Sequence, residues 1–305
     1  MIRRTPLVAP GGAAGARLGG AVLKLESAQR TGSFKLRGAA AAVAALTDGE
    51  RAAGVVTASA GNHGAAMALV CGRAGVRLTA VVGATAPQVK RAAIVALGAE
   101  LVVEGADYDA AEQAARELAR ARGARFVSPF DDDDVIAGNG GGVAAELLEQ
   151  VPELARVVVP IGGGGLVAGL AAALAPRGVS VIGVQPAANC AMHDSLAGGR
   201  ALIDYRGGPT VADALAGAVC ERTYRICALH VESIALVSEA DIRRAVGFLY
   251  REVGVIAEPS AAVGVAGFLA GAVTPARTGT TVVVISGANI DPDLLDAILA
   301  EPSID

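Results

Sequence analysis

Lys35 is one of only three lysines in the chain, against twenty-three arginines. It stands in the run Thr31-Gly32-Ser33-Phe34-Lys35-Leu36-Arg37-Gly38-Ala39, among apolar and small residues. Arginine keeps its proton at any accessible pH, whereas a lysine near apolar groups can release it. The neutral amine can then form an imine with an aldehyde. The competing reading is a lysine that snorkels from the start of a helix. Three further segments favour chemistry. Thr57-Ala58-Ser59-Ala60-Gly61-Asn62-His63-Gly64 lies between a strand pattern and a helix pattern. Backbone amides at such a helix start carry partial positive charge and can hold a carboxylate. Gly61 allows close approach of a ligand, although Ser59 or Asn62 could equally serve as a plain helix cap. Pro160-Ile161-Gly162-Gly163-Gly164-Gly165-Leu166 follows a β-branched run and opens an apolar helix. Its amides are unobstructed by side chains and suit an anion such as phosphate. The run is neither a P-loop nor a dinucleotide fingerprint. The next strand ends Val184-Gln185, without a ribose-binding carboxylate, so a lone phosphate is the better fit. Ser286-Gly287-Ala288-Asn289 closes the strand Val282–Ile285, at the edge where ligands of open α/β sheets gather.

The elements that must position these residues follow from the pattern of the chain. Short β-branched runs alternate with alanine-rich helical stretches. Strands are expected at Val22–Leu25, Val55–Ala58, Leu78–Val82, Leu101–Val103 and Arg125–Val127. Helices are expected at Gly38–Leu46, Gly64–Ala74, Pro87–Leu97 and Tyr108–Arg122. A second series runs from helix Val143–Gln150 through strand Val157–Pro160, helix Leu166–Leu174 and strand Val179–Val184. After a less regular middle come helices Glu239–Val253 and Ala261–Ala270 and strand Thr281–Ser286. Such alternation argues an open α/β sheet with right-handed crossovers. At 305 residues, about two domains or one large α/β unit are expected. Hydrophobic residues make up 53% but aromatics only 3%, so the core must be built from Ala, Val, Leu and Ile.

The same composition sets exclusions. Net charge is −4, with no basic stripe, which makes nucleic acid a poor partner. No apolar window reaches the roughly 18–20 residues of a membrane span. The two N-terminal arginines precede no apolar leader. The four cysteines form no C-x-x-C pair and have no histidine at zinc-ligand spacing, so free structural thiols in a reducing compartment are expected. A cytoplasmic protein without membrane segments follows. The run Asp131–Asp134 reads as a solvated turn, not a metal site.

Taken together, the four segments resemble the serine/threonine dehydratase family of fold type II pyridoxal-phosphate enzymes. That family carries S-F-K-x-R-G-A, S-x-G-N-H, G-G-G-G-[LM] and S-G-[GA]-N in this order, and the match covers nearly the whole chain. The resemblance implies two open, twisted parallel-sheet α/β domains with pyridoxal 5'-phosphate in the cleft between them. The large cofactor-binding domain would comprise 1–53 and 132–305, and the small domain 54–131. It implies that Lys35 forms the imine with the cofactor and, once freed, takes the Cα proton. Phe34 would lie beside the ring, Asn62 would bond the ring hydroxyl, and Ser286 would face the pyridine nitrogen. Gly162, Gly163, Gly164, Gly165 and the amide of Leu166 would hold the phosphate. Glu258, in Glu258-Pro259-Ser260, would line the pocket. Ser59, Asn62 and His63, on the segment with Ala60 and Gly61, would bind the substrate carboxylate. The implied reaction is β-elimination from threonine, serine or a related 3-hydroxy L-amino acid, giving a 2-oxo acid and ammonia, in a dimer.

Departures from the family pattern sharpen this. Serine racemases carry a second serine where this chain has Ala60. The family's divalent-metal site opens G-V-E-P, but here the run is Gly183-Val184-Gln185-Pro186, so no metal is expected. Ala214 and Ala261 stand where glycines are common. The last motif leaves no room before Asp305 for a C-terminal regulatory domain, which implies insensitivity to isoleucine. A racemase, a β-replacement synthase and a silent pyridoxal-phosphate- or amino-acid-binding protein are the alternatives. Cysteine synthases favour S-x-K-D-R at the lysine, unlike this chain. His193 and His230 have no partners in sequence and read as surface or satisfied histidines.

Overall fold

In the computed structural model, residues 1–302 are described. The last three positions expected in the large domain, 303–305, lie outside the described residues. In chain order the strands are β1 (Leu7–Val8), β2 (Val22–Leu25), β3 (Val55–Ala58), β4 (Leu78–Val82), β5 (Glu100–Val103) and β6 (Arg125–Phe126). They continue with β7 (Leu154–Pro160), β8 (Ser180–Pro186), β9 (Ser233–Val237) and β10 (Thr280–Ile285). They form a six-stranded sheet in the order β1-β2-β10-β7-β8-β9 and a four-stranded sheet in the order β5-β4-β3-β6. Every pairing is parallel except β1 with β2. The fold is therefore α/β with two open parallel-sheet units, as the alternation of patterns implies.

The chain divides into two compact units. One comprises Arg3–Phe34 and the chain from Gly140 onward; the other is Lys35–Asn139. The smaller unit is wider than the expected 54–131. Helix Lys35–Ala44 packs on helix Asn62–Ala74, and Leu36, Ala39, Ala42 and Val43 share a buried cluster with Ala66, Met67, Val70 and Cys71. Small side chains on facing turns allow this close approach and explain the alanine-rich composition.

In the larger unit, β10 is the last strand in the chain yet lies between β2 and β7. Strand order thus departs from chain order, which places a crevice at the C-terminal ends of these strands. Gly162–Gly165 follows β7 and Ser286 follows β10, so both motifs lie at neighbouring strand ends. Val157–Val159 and Val282–Ile285 are fully buried and hold this edge in place. In the smaller unit, Ser59–Gly61 follows the fully buried β3 and leads into helix Asn62–Ala74.

The aspartate run is structural. Asp132 caps the turn Asp133–Ile136 by accepting from the amides of Asp134 and Val135, and Arg125 bridges Asp132 and Asp134. All four cysteines are free and buried. Burial pushes the thiols of Cys71 and Cys227 up to about 12, which leaves them unreactive. Among the described residues, no helix is long and apolar enough to cross a membrane.

Candidate active site

The residues singled out by their chemistry fall into two sets, one in each unit. In the smaller unit, Lys35 is the first residue of helix Lys35–Ala44 and is half-buried. Its Nζ donates to the Pro129 carbonyl at 2.9 Å. Pro129 lies just beyond β6, the neighbour of β3. The helix that begins with Lys35 is itself held by a side chain: Asn139 Oδ1 accepts from the Gly38 amide at 2.8 Å. Asn139 is fully buried, and a Cβ at Gly38 would come within 2.6 Å of its Oδ1. Gly38 therefore has to be glycine for Asn139 to reach the backbone.

The segment after β3 is not a plain cap. The N-cap residue of helix Asn62–Ala74 is Gly61, and no side chain caps the helix start. Ser59 Oγ instead accepts from the Gly61 amide at 3.2 Å. A Cβ at Gly61 would meet nothing within 4 Å, so the space over this backbone is open. A helix start beside open space suits a carboxylate, because its amides carry partial positive charge. His63 is buried at 2% exposure, and neither ring nitrogen makes a hydrogen bond. Burial drives its pKa down to about 3, the nearby Lys35 ammonium lowers it further, and the Val127 carbonyl opposes this only weakly. The imidazole is neutral at ordinary pH.

In the larger unit the lysine segment and the serine segment are zipped together. Phe34 N donates to Ser286 O at 3.0 Å, Ala288 N to Gly32 O at 2.9 Å, and Asn289 Nδ2 to Thr31 O at 2.8 Å. Ser33 and Gly287 form an antiparallel bridge. Glu258 closes the back of this strip: its amide donates to Gly287 O at 3.1 Å, and a Cβ on Gly287 would come within 2.3 Å of its Oε1. Ser286 is 3% exposed and Glu258 6%. Thus Phe34, Ser286 and Glu258, far apart in sequence, are fixed against one another by main-chain bonds.

The glycine turn opens helix Gly165–Leu174, whose N-cap Gly164 has φ +96°. No side chain caps this start and its first turn holds no acidic residue, so the amides around Leu166 keep their positive potential. A Cβ at Gly162 would lie 2.9 Å from Ala214 O, and one at Gly164 would lie 2.8 Å from both Met192 Cε and Thr223 Cβ. Thr223 Oγ1 donates to Gly163 O at 2.7 Å and fixes the turn from behind. A backbone cradle that any side chain would obstruct, with uncapped amides and no carboxylate, fits a phosphate monoester. One of the two sequence departures falls on this wall. Ala214 supplies the carbonyl over Gly162 and donates its amide to Ser260 Oγ. Ala261 is fully buried in the first turn of helix Pro259–Leu269.

Three contributors escaped the sequence reading: Asn139, Thr223 and Pro129. Asn139 sits in the stretch Pro129–Gly142, which by its sequence reads as a crossing between two lobes. Thr223 gives a weak signal, as the residue three beyond Cys220, whose sulfur caps its amide. Pro129 acts through its carbonyl, which no sequence pattern reveals.

The profile of the family "Pyridoxal-phosphate dependent enzyme" matches residues 1–287. The L-threonine ammonia-lyase of Thermotoga maritima is 40% identical over 280 residues, which cover 91% of this chain and 69% of the relative. Among solved structures, the processed form of threonine deaminase isoform 2 from Solanum lycopersicum superposes with a TM-score of 0.91 at 34% identity. That match covers 99% of this chain and 89% of the other. Maize serine racemase superposes with a TM-score of 0.90 at 30% identity, covering 97% and 91%.

Proposed function

Because the chain belongs to the family of pyridoxal-phosphate dependent enzymes, we propose that it is an ammonia-lyase that dehydrates a 3-hydroxy L-amino acid. L-Threonine, L-serine or a close analogue would yield the 2-oxo acid and ammonia. When bound, pyridoxal 5'-phosphate supplies an aldehyde that captures amines and an electron sink that makes the substrate Cα proton acidic.

The residues present fit that group. The amides of Gly162–Gly165 and Leu166 would hold the phosphate in the uncapped glycine turn. Phe34 would flank the ring, Asn62 would bond its hydroxyl, Ser286 would meet its nitrogen, and Glu258 would line the pocket. The amine of Lys35 would hold the cofactor aldehyde and, once free, would take the Cα proton. Ser59, Asn62 and the uncapped start of helix Asn62–Ala74 would receive the substrate carboxylate. His63, enclosed behind that start, would keep a neutral ring beside it. Loss of the β-hydroxyl as water and hydrolysis of the released enamine complete the conversion without net consumption of water. A cytoplasmic dimer is the compartment and assembly that accompany this reading, and sedimentation tests the latter.

The observation that carries elimination over racemisation is a pair of side chains, Ser286 and Ala60. The Ser286 hydroxyl, if it meets the ring nitrogen, would stabilise a proton there less than a carboxylate would, and that would favour prompt loss of the β-substituent. The methyl of Ala60 would supply no proton to the opposite face. A positioned acid or base contributes roughly 10²–10⁴-fold, so its absence suppresses return of a proton with inverted configuration. Chiral chromatography of a partly converted L-serine or L-threonine reaction is the test. Mostly 2-oxo acid with little D-isomer is expected. D-amino acid that accumulates faster than 2-oxo acid would replace this reading with a racemase. Ala60→Ser is expected to raise the D-isomer fraction, and an unchanged fraction would show that Ala60 does not limit it.

A further inference from the structure

We propose that Cys190, His193 and Asp194 form a binding site for a divalent transition metal of the zinc class. Cys190 is the N-cap residue of helix Ala191–Gly198, and His193 and Asp194 lie in its first turn. Positions i, i+3 and i+4 of a helix start share one face, so Cys190 and His193, which the sequence reading left without a metal-ligand spacing, stand at C-x-x-H on one helix turn. The structure brings one thiol, one imidazole and one carboxylate atom within 4.8 Å of one another. His193 Nδ1 is 3.0 Å from Asp194 Oδ1, and Cys190 Sγ is 3.5 Å from Asp194 Oδ2. For tetrahedral zinc, with Zn–S about 2.3 Å and Zn–N or Zn–O about 2.0–2.1 Å, neighbouring ligand atoms lie roughly 3.3–3.6 Å apart. The two Asp194 distances lie close to that range, and the trio as a whole spans no more than 4.8 Å, so a small side-chain adjustment would bring the three atoms onto one metal.

The ligand chemistry selects the metal. A sulfur, a nitrogen and a single carboxylate suit zinc, cobalt or nickel. Magnesium and calcium want a shell of oxygens that these residues do not supply. Cys190 is 7% exposed, while the side chains of His193 and Asp194 are 39% and 44% exposed. The sulfur is therefore the sheltered ligand, and the metal has a path in from the other two. Binding would take the thiolate and release its proton to solvent.

This is not the acidic position of the G-V-E-P pattern. Gln185 stands there, and its amide is spent on structure: Nε2 donates to Ile161 O and Oε1 accepts from the His193 backbone amide. That second bond holds the first turn carrying the three ligands. Met192, between Cys190 and His193, puts its Cε against Gly164 of the glycine turn. Asn189, one residue before Cys190, accepts from the Gly217 amide at 3.0 Å. A metal here would brace the segment that walls the glycine turn, without touching the reacting atoms.

The test is calorimetric titration of holoenzyme, dialysed against chelator and then freed of it, with Zn²⁺ and separately with Mg²⁺. One zinc per chain and no magnesium binding are expected. Cys190→Ser and His193→Ala should each weaken zinc binding by at least roughly tenfold. Co²⁺ should give a thiolate-to-metal absorption in the wild type that Cys190→Ser abolishes. His193→Ala alters a half-exposed side chain and decides the matter should Cys190→Ser fold poorly. No zinc binding by the wild type, or equal zinc binding in a folded His193→Ala protein, would overturn the proposal.

Discussion

Lys35 and His63 show how burial assigns charge in the smaller unit. Lys35 keeps a main-chain acceptor at Pro129, while His63 is enclosed with no hydrogen-bond partner. An unfolded chain binds a proton at His63 below about 6.5, but the folded chain does not until about 3. The unfolded state therefore holds the extra proton between those values, and stability falls as pH drops through that window. Between pH 7 and 4.5 the loss from this residue should be about 2–3 kcal/mol. Denaturant unfolding at both pH values should show a smaller difference for His63→Gln than for the wild type. An equal difference would mean that His63 is not held neutral by the fold. At this scale the sequence was informative about residue type and silent about environment. The solitary lysine pointed to its own chemistry. That His63 is enclosed rather than open at the helix start depends on Val127 and its neighbours, which come from a distant strand end.

At the level of elements, the candidate site rests on two helix starts whose positions are set by glycine. Gly164→Ala would force a left-handed backbone onto a side chain and drive its Cβ into Met192 and Thr223. Cofactor affinity should drop by at least roughly tenfold, as read by titration of the apoenzyme with pyridoxal 5'-phosphate, since the displaced amides no longer converge on the phosphate. Unchanged affinity would remove the turn from the cofactor site. Asn139→Ala would strip the buried Gly38 amide of its acceptor, costing about 1–3 kcal/mol. Small shifts of a catalytic group can cost up to roughly 10²-fold, so kcat should fall while cofactor affinity changes little. Asn139→Asp, which keeps the acceptor, should recover part of that loss. Equal kcat in Asn139→Ala and the wild type would deny Asn139 a positioning role. Elements with clean punctuation were legible. Val22–Leu25, Val55–Ala58, Leu78–Val82 and Tyr108–Arg122 lie where their patterns place them. The irregular middle was not, because β9 is a half-buried edge strand paired only with β8, and helix Glu221–His230 is largely polar. The run Glu239–Val253 reads as one helix, yet it passes at Leu249 into a π-helical turn that ends at Gly254, where φ is +72°.

On the scale of the whole molecule, the three lysines occupy three different environments. Lys24 is fully buried in the larger unit, where Nζ donates to Thr5 O, Glu146 Oε2 and Gln150 Oε1. It ties the N-terminal segment and helix Gly142–Gln150 to β2. Removing one member of such a pair is far more costly than losing an exposed ion pair. Lys24→Met should lower the unfolding free energy by about 3 kcal/mol in urea, and an unmoved midpoint would show the network to be incidental. The two-unit plan was legible in the alternation of strands and helices, but the division at Lys35 was not. Helix Lys35–Ala44 joins the smaller unit through packing against Asn62–Ala74, a tertiary contact outside any local pattern. Lys90 lies exposed on helix Gln88–Ala96. Of the three, Lys35 is the one that acts on His63, a residue proposed to receive substrate. Borohydride reduction of the holoenzyme followed by peptide mapping therefore tests the account most directly. The prediction is a yellow protein whose cofactor becomes fixed on Lys35, whereas a label on Lys24 or Lys90, or none on Lys35, would contradict it.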